Sequence, residues 1–250
     1  MAKPFRGKSQ PQMTHLRPDI VLIEHSDPGA EEVHISTNTY ALLNAGRMLL
    51  VDTNVSHLLP FVRQLSDDGF SPAALVITHR HVVGLGDALS DLKAEFKIPL
   101  LLHPIDAKHK QAVAAGISFE NPIGHRVLSE FAFEALLFPG QTAGSIMLYS
   151  TNNGGLLLTG DSASGTSADQ ARAGMERLIR PPIDTSVDDA ELRKRWVAFD
   201  RPVATVLPFH GTGYIDRSAK DLASIMQPLV RPESTNWDNF QDKVVTMGRR

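Results

Sequence analysis

Two successive blocks of short apolar strands, each followed by helices, constrain the fold of this chain most. In the first block, runs with strand character cover residues 20–24, 39–44, 47–51, 73–78 and 99–103. Helical stretches lie near residues 56–68, 87–96 and 104–115, so the order is β-β-β-α-β-α-β-α. The second block repeats the style. Its strands lie near residues 126–129, 132–138, 145–150, 156–159 and 204–207, with a turn at residues 152–155 and helices near 188–199 and 216–229. A sheet must bury one face against another layer, so this order predicts two sheets packed face to face with helices outside.

Composition narrows the class. A chain of 250 residues that is 42% hydrophobic can bury a full core, and one domain over residues 19–231 is expected. Residues 1–18 carry four basic residues and no acid, which reads as a solvated, flexible tail; residues 232–250 read as a second tail or a flap. Lys+Arg 25 against Asp+Glu 28 gives a net charge of −3, and neither sign forms a long block. Nothing in that balance calls for nucleic acid or a membrane, so a small-molecule substrate or ligand is expected, with a homo-oligomer left open. There is no cysteine, so disulfide and thiolate chemistry are excluded and a metal would sit on His, Asp, Glu or an amide oxygen. A cytoplasmic location is the matching expectation. No leader-like apolar stretch opens the sequence, and no apolar run is long enough to span a bilayer.

The stretch Leu75-Val-Ile-Thr-His-Arg-His-Val-Val-Gly-Leu-Gly-Asp87 carries the chemistry, because it sets His79 and His81 at the end of a β-branched apolar run. Residues i and i+2 in the turn after a strand can point two imidazoles into one cleft, and neutral imidazole suits zinc and similar divalent ions. The segment resembles the Thr-His-x-His-x-Asp-His-x-Gly motif of the metallo-β-lactamase superfamily, with Val83 at the Asp position and Gly84 at the third His position. Four other segments follow the same order. They are Met48-Leu-Leu-Val-Asp-Thr53, Phe138-Pro-Gly-Gln-Thr-Ala-Gly-Ser145 with Gln141 in place of a ligand His, Leu156-Leu-Leu-Thr-Gly-Asp-Ser162, and Leu207-Pro-Phe-His-Gly-Thr212. The resemblance spans residues 20–229. It implies a four-layer αβ/βα sandwich, with the ligand-bearing turns of both halves meeting at one edge.

The resemblance also implies roles. His79, His81 and Asp161 would hold one metal ion, while a second position would keep only Asp161 and His210, too few ligands for a tetrahedral ion. Asp52 would orient the site without touching metal. Gln141 would hydrogen-bond a neighbour, because a neutral amide is a poorer ligand than imidazole. Asp87 reads instead as a helix N-cap, His103 and His109 as surface or packing residues, and the small residues 162–168 as a loop over the site. The leading expectation is a mononuclear or metal-poor hydrolase acting on a small ester, thioester or lactone. Zinc would be the ion, with iron as the alternative, and His210 would contact substrate or carry a proton. Two alternatives stand beside it: a catalytically inactive binding module, and a metal-independent or iron-dependent enzyme that reuses the cleft.

Overall fold

A computed structural model describes residues 12–29, 33–53, 58–84, 88–236 and 245–247. The first half runs β1 (Gln12–Arg17), β2 (Ile20–Gly29), β3 (Val33–Asn44), β4 (Arg47–Val51), α1 (Leu58–Asp67), β5 (Ser71–Ile77), a 3₁₀ turn (Arg80–Gly84), α2 (Ala88–Phe96), β6 (Leu100–Leu102), α3 (Pro104–Ala107) and α4 (Lys110–Ala114). The second half runs α5 (Arg126–Glu130), β7 (Glu134–Leu137), β8 (Ile146–Ser150), β9 (Leu156–Gly160), β10 (Ser164–Gly165), α6 (Ala168–Arg172), β11 (Leu178–Ile179), α7 (Asp189–Ala198), β12 (Thr205–Pro208) and α8 (Ala219–Met226). A last strand, β13 (Val245–Met247), pairs with β3.

The first sheet has the order β1-β2-β3-β4-β5-β6 and the second β12-β9-β8-β7. Strands β1 to β4 are joined antiparallel; β3 turns into β4 through Ala45 and Gly46, both at positive φ, the geometry of a two-residue hairpin. From β4 to β6 the pairing becomes parallel, with α1 and α2 as crossovers. In the second sheet β9 and β12 are likewise parallel. Both sheets are therefore mixed.

Alternation along the strands places the layers. Leu49 and Val51 of β4 pack with Ile146, Leu148, Leu156, Leu158 and Leu207, so they fill the space between the sheets. Met48 and Leu50 pack with Leu58, Val62, Leu65, Leu89 and Leu92 of α1 and α2. Met147, Tyr149, Leu157 and Val206 point the opposite way in the second sheet, onto Leu192, Trp196, Leu222 and Ile225 of α7 and α8. The result is the four-layer αβ/βα sandwich, with helices outside both sheets. Each fully buried leucine contributes roughly 2 kcal/mol to that packing. Among the described residues no helix is long and apolar enough to cross a membrane.

Some local expectations change. Residues 126–129 form α5 instead of a strand: the His125 imidazole accepts from Val127 N, capping a turn that buries Val127 and Leu128, and periodicity over four residues cannot separate the two forms. The helix expected over 104–115 is two helices, because His103 and His109 each cap a new start. The helix expected over 216–229 is α8, capped by Ser218 and followed by a 3₁₀ turn (Gln227–Val230). Residues 12–17, expected in the tail, pair with β2 as a strand. Within the expected C-terminal tail, Glu233 O accepts from Arg180, and residues 245–247 pair with β3. Within residues 162–168, expected as a loop over the site, residues 162–167 are buried, and β10 among them pairs with β11. Asp87 lies outside the described residues.

Candidate metal centre

The candidate residues gather where the strands of both sheets end, at the carboxyl ends of β4, β5, β9 and β12. In β4 and β5 the register Val51↔Val76 sets Asp52 beside the end of β5, where Asp52 N donates to Val76 O at 2.8 Å. Asp52 sits at φ 56, a left-handed conformation that Asp tolerates better than most residues. Its carboxylate accepts from Thr78 N at 2.8 Å and from Thr78 Oγ1 at 2.8 and 2.9 Å. Thr78 Oγ1 lies 3.0 Å from His79 Nδ1. Because the single hydroxyl proton goes to Asp52, Thr78 accepts from His79 Nδ1–H, which leaves the Nε2 lone pair facing the site.

The sheets are stitched together at this edge. Ile146 N of the second sheet donates to Thr78 O at 2.9 Å, and Asn38 N of the first donates to Phe209 O at 2.8 Å. Gly160 makes the approach possible: it sits at φ +53, and a Cβ there would lie 2.2 Å from Thr78 Oγ1. Asp161 follows directly. Phe209 N donates to Gly160 O at 3.0 Å, which sets His210 beside Asp161, with His210 Nε2 3.7 Å from Asp161 Oδ1.

Gln141 stands in the loop between β7 and β8 and is fully buried. Its Nε2 donates to His81 Nδ1 at 2.8 Å and to Asp161 Oδ2 at 3.0 Å, while Oε1 lies 3.4 Å from Ser145 Oγ. Asp106, also fully buried, ties this loop to the histidine turn. It accepts from Arg80 N at 2.9 Å, Arg80 Nη1 at 3.1 Å, Thr142 Oγ1 at 2.6 Å and Gly144 N at 3.0 Å.

Burial sets the charge states. His79 is held well below the usual imidazole range, first by desolvation and then by the neighbouring His81 and His210. Its ring also meets Phe209 edge-on, with centroids 5.6 Å apart. His81 is shifted down mainly by burial and then by Arg80. Both imidazoles are therefore neutral, the form that ligates metal. Burial pushes Asp161 up, with His210 opposing it, and pushes Asp52 up to about 7 against the hydrogen bonds from Thr78.

One ligand atom from each of His79, His81 and Asp161 lies within 4.8 Å of the others. Asp161 Oδ1 is buried with no hydrogen-bond partner. Two neutral imidazoles and a carboxylate with one oxygen lacking a hydrogen-bond partner fit one divalent ion. A second ion fits poorly, because Val83 is 3% exposed and belongs to the apolar cluster under the first sheet, and Gly84 carries no donor. The structure thus brings His79, His81, Gln141, Asp161 and His210 together and attaches Asp52 through Thr78. Sequence reasoning missed Thr78, Asp106 and Phe209. Thr78 was adjacent to the histidines and its hydroxyl was a usable signal, whereas nothing in the sequence marks Asp106, whose partners lie 26 to 38 residues away. His103 and His109 serve as N-caps.

No family model matches the chain, and no curated protein matches it. Solved structures do match, among them three metallo-β-lactamases. One from Hirschia baltica is 17% identical, with a TM-score of 0.65 and coverage of 90% of this chain and 100% of that one. One from Erythrobacter litoralis, with β-mercaptoethanol in its active site, is 15% identical at a TM-score of 0.66, covering 87% and 93%. The metallo-β-lactamase FIM-1 from Pseudomonas aeruginosa, in its mono-zinc form, is 14% identical at 0.65, covering 90% and 95%. At such identities the match shows the fold: this chain has the metallo-β-lactamase fold.

Proposed function

We propose that this protein is a hydrolase of small carbonyl substrates, an ester, thioester or lactone, working with one divalent ion held by His79, His81 and Asp161. The observation that carries the reading is the convergence of those three ligand atoms within 4.8 Å at the strand ends of both sheets. Zinc suits two imidazoles and a carboxylate best; iron suits the same set. When bound, such an ion supplies Lewis acidity, which polarises a carbonyl and makes water acidic near neutrality. The protein's own residues do the rest. Asp52 and Thr78 hold the His79 tautomer, and the carboxylate of Asp161 anchors the opposite side. His210, part-exposed at the mouth, is placed to hydrogen-bond the substrate or hold a proton. The balance of charge supports a small-molecule ligand, and the cysteine-free composition goes with a cytoplasmic setting.

A second reading, a binding module without catalysis, is favoured by Val83: a buried apolar side chain stands where a carboxylate would orient the attacking water. Assay of a panel of small esters, thioesters and lactones separates the readings. The hydrolase reading expects turnover that disappears on chelation and in His79→Ala. Equal turnover by the chelated His79→Ala/His81→Ala protein would sink it, and no turnover by the zinc-saturated parent on any of the three classes would leave the binding module.

A further inference from the structure

We infer that the Gln141 carboxamide is a built-in competitor for the metal ion, so that the site loads reversibly with ion supply in place of holding a resident ion. This deepens the one-ion reading above and rests on it.

The argument starts from the orientation of the amide. Asp161 Oδ2, as a carboxylate oxygen, can only accept, so the group 3.0 Å from it must be the amide nitrogen of Gln141. The same nitrogen lies 2.8 Å from His81 Nδ1, and its second proton satisfies that lone pair. Oε1 is turned away toward Ser145 Oγ. One NH₂ group therefore holds the lone pairs of two of the three groups that would ligate the ion. It does so from a fully buried side chain, where water cannot take over the bond to Asp161. Loading an ion on His81 Nδ1 requires the amide to give up that lone pair, and binding through Asp161 Oδ2 requires it to leave the carboxylate too, although Asp161 Oδ1 has no hydrogen-bond partner. The surroundings offer the displaced amide one acceptor: Ser145 Oγ accepts from Thr142 N at 2.9 Å and directs its proton to Thr142 Oγ1 at 2.7 Å, which leaves it a lone pair for an N–H, and Asp106 keeps the loop in place through Thr142 and Gly144. A histidine at this position could not play this part, since its ring would add a ligand and no pair of donors.

The test uses the intact protein with zinc as the probe and a competing chelator as the readout. Gln141→Met keeps the size of the side chain and removes both donors, so it should bind zinc about 10-fold more tightly or better. Binding that is equal or weaker in Gln141→Met overturns the inference while leaving the one-ion site standing. Zinc binding by neither protein defeats the one-ion reading and the inference together. Should Gln141→Met misfold, the parent decides. In ¹⁵N-labelled metal-free protein the Gln141 side-chain amide should show slow solvent exchange and a hydrogen-bond coupling to His81 Nδ1, both lost as zinc is added. Zinc binding with that coupling intact overturns the inference.

Discussion

At the scale of single residues, the chain solves one problem repeatedly, which is how to bury polar groups at a strand end. Asp52 is the clearest case. A folded-state value of about 7 against the ordinary 3.8 means that the folded protein binds the more protons between those limits. Its contribution to stability is thus fully present below pH 3.8 and is lost as pH rises to about 7, by up to roughly 4 kcal/mol. The metal-free Asp52→Asn protein should lack this loss, so its stability relative to the parent should climb across that window in urea titrations. A constant difference from pH 4 to 8 would contradict the assignment. Gly160 gives a second test. An added methyl would sit 2.2 Å from Thr78 Oγ1 at a positive φ, so Gly160→Ala should cost roughly 3 kcal/mol and lower the melting temperature.

The same scale shows how much of the site was legible. His79 and His81 could be read directly, since two histidines after an apolar strand are close in sequence and their chemistry follows from spacing. Asp161 and His210 could be placed only through the order of segments in a resembling family, because residues 79, 161 and 210 meet through sheet register, which composition does not encode. Gln141 was legible as a missing ligand. Its role as a donor to two ligand groups depends on a rotamer, and no sequence pattern specifies one.

Among the elements, the turn after β5 and the loop between β7 and β8 act as a unit because Asp106 accepts from both. Removing that carboxylate leaves the part-buried Arg80 and the buried Gly144 amide without that acceptor, so Asp106→Ala should cost about 3–5 kcal/mol. It should also weaken zinc binding, because His81 and Gln141 would lose their common anchor. Unchanged zinc affinity in a folded Asp106→Ala protein would show that the clamp is irrelevant to the site. The strands of the first sheet were readable from apolar alternation, and β4 and β5 came out nearly residue for residue. The errors fell where a short segment is decided by a cap: His125, His103 and His109 each start a helix through an imidazole nitrogen, a use of histidine that sequence preference does not announce.

For the whole molecule, the sandwich places the candidate centre on the seam between its two sheets. The backbone bonds Ile146 N to Thr78 O and Asn38 N to Phe209 O cross that seam. These amides should exchange hydrogen only through global unfolding, and much more slowly than the exposed backbone around Ser186. Faster exchange at Ile146 than at Ser186 would mean that the halves separate in the native state. The arrangement of layers was predictable from two strand-and-helix blocks, whereas the strand at residues 12–17 was not. Only Met13 and Leu16 of its six residues are apolar, too few to show alternation, and it is recruited by pairing with β2.

The central claim is that His79, His81 and Asp161 together hold one divalent ion. Its most direct test is zinc stoichiometry at saturation by equilibrium dialysis and elemental analysis, in the parent and in folded His79→Ala, Asp161→Ala and His210→Ala proteins. One equivalent is expected in the parent and in His210→Ala, and none in the other two. Two equivalents in the parent, or a full equivalent retained by Asp161→Ala, would contradict it.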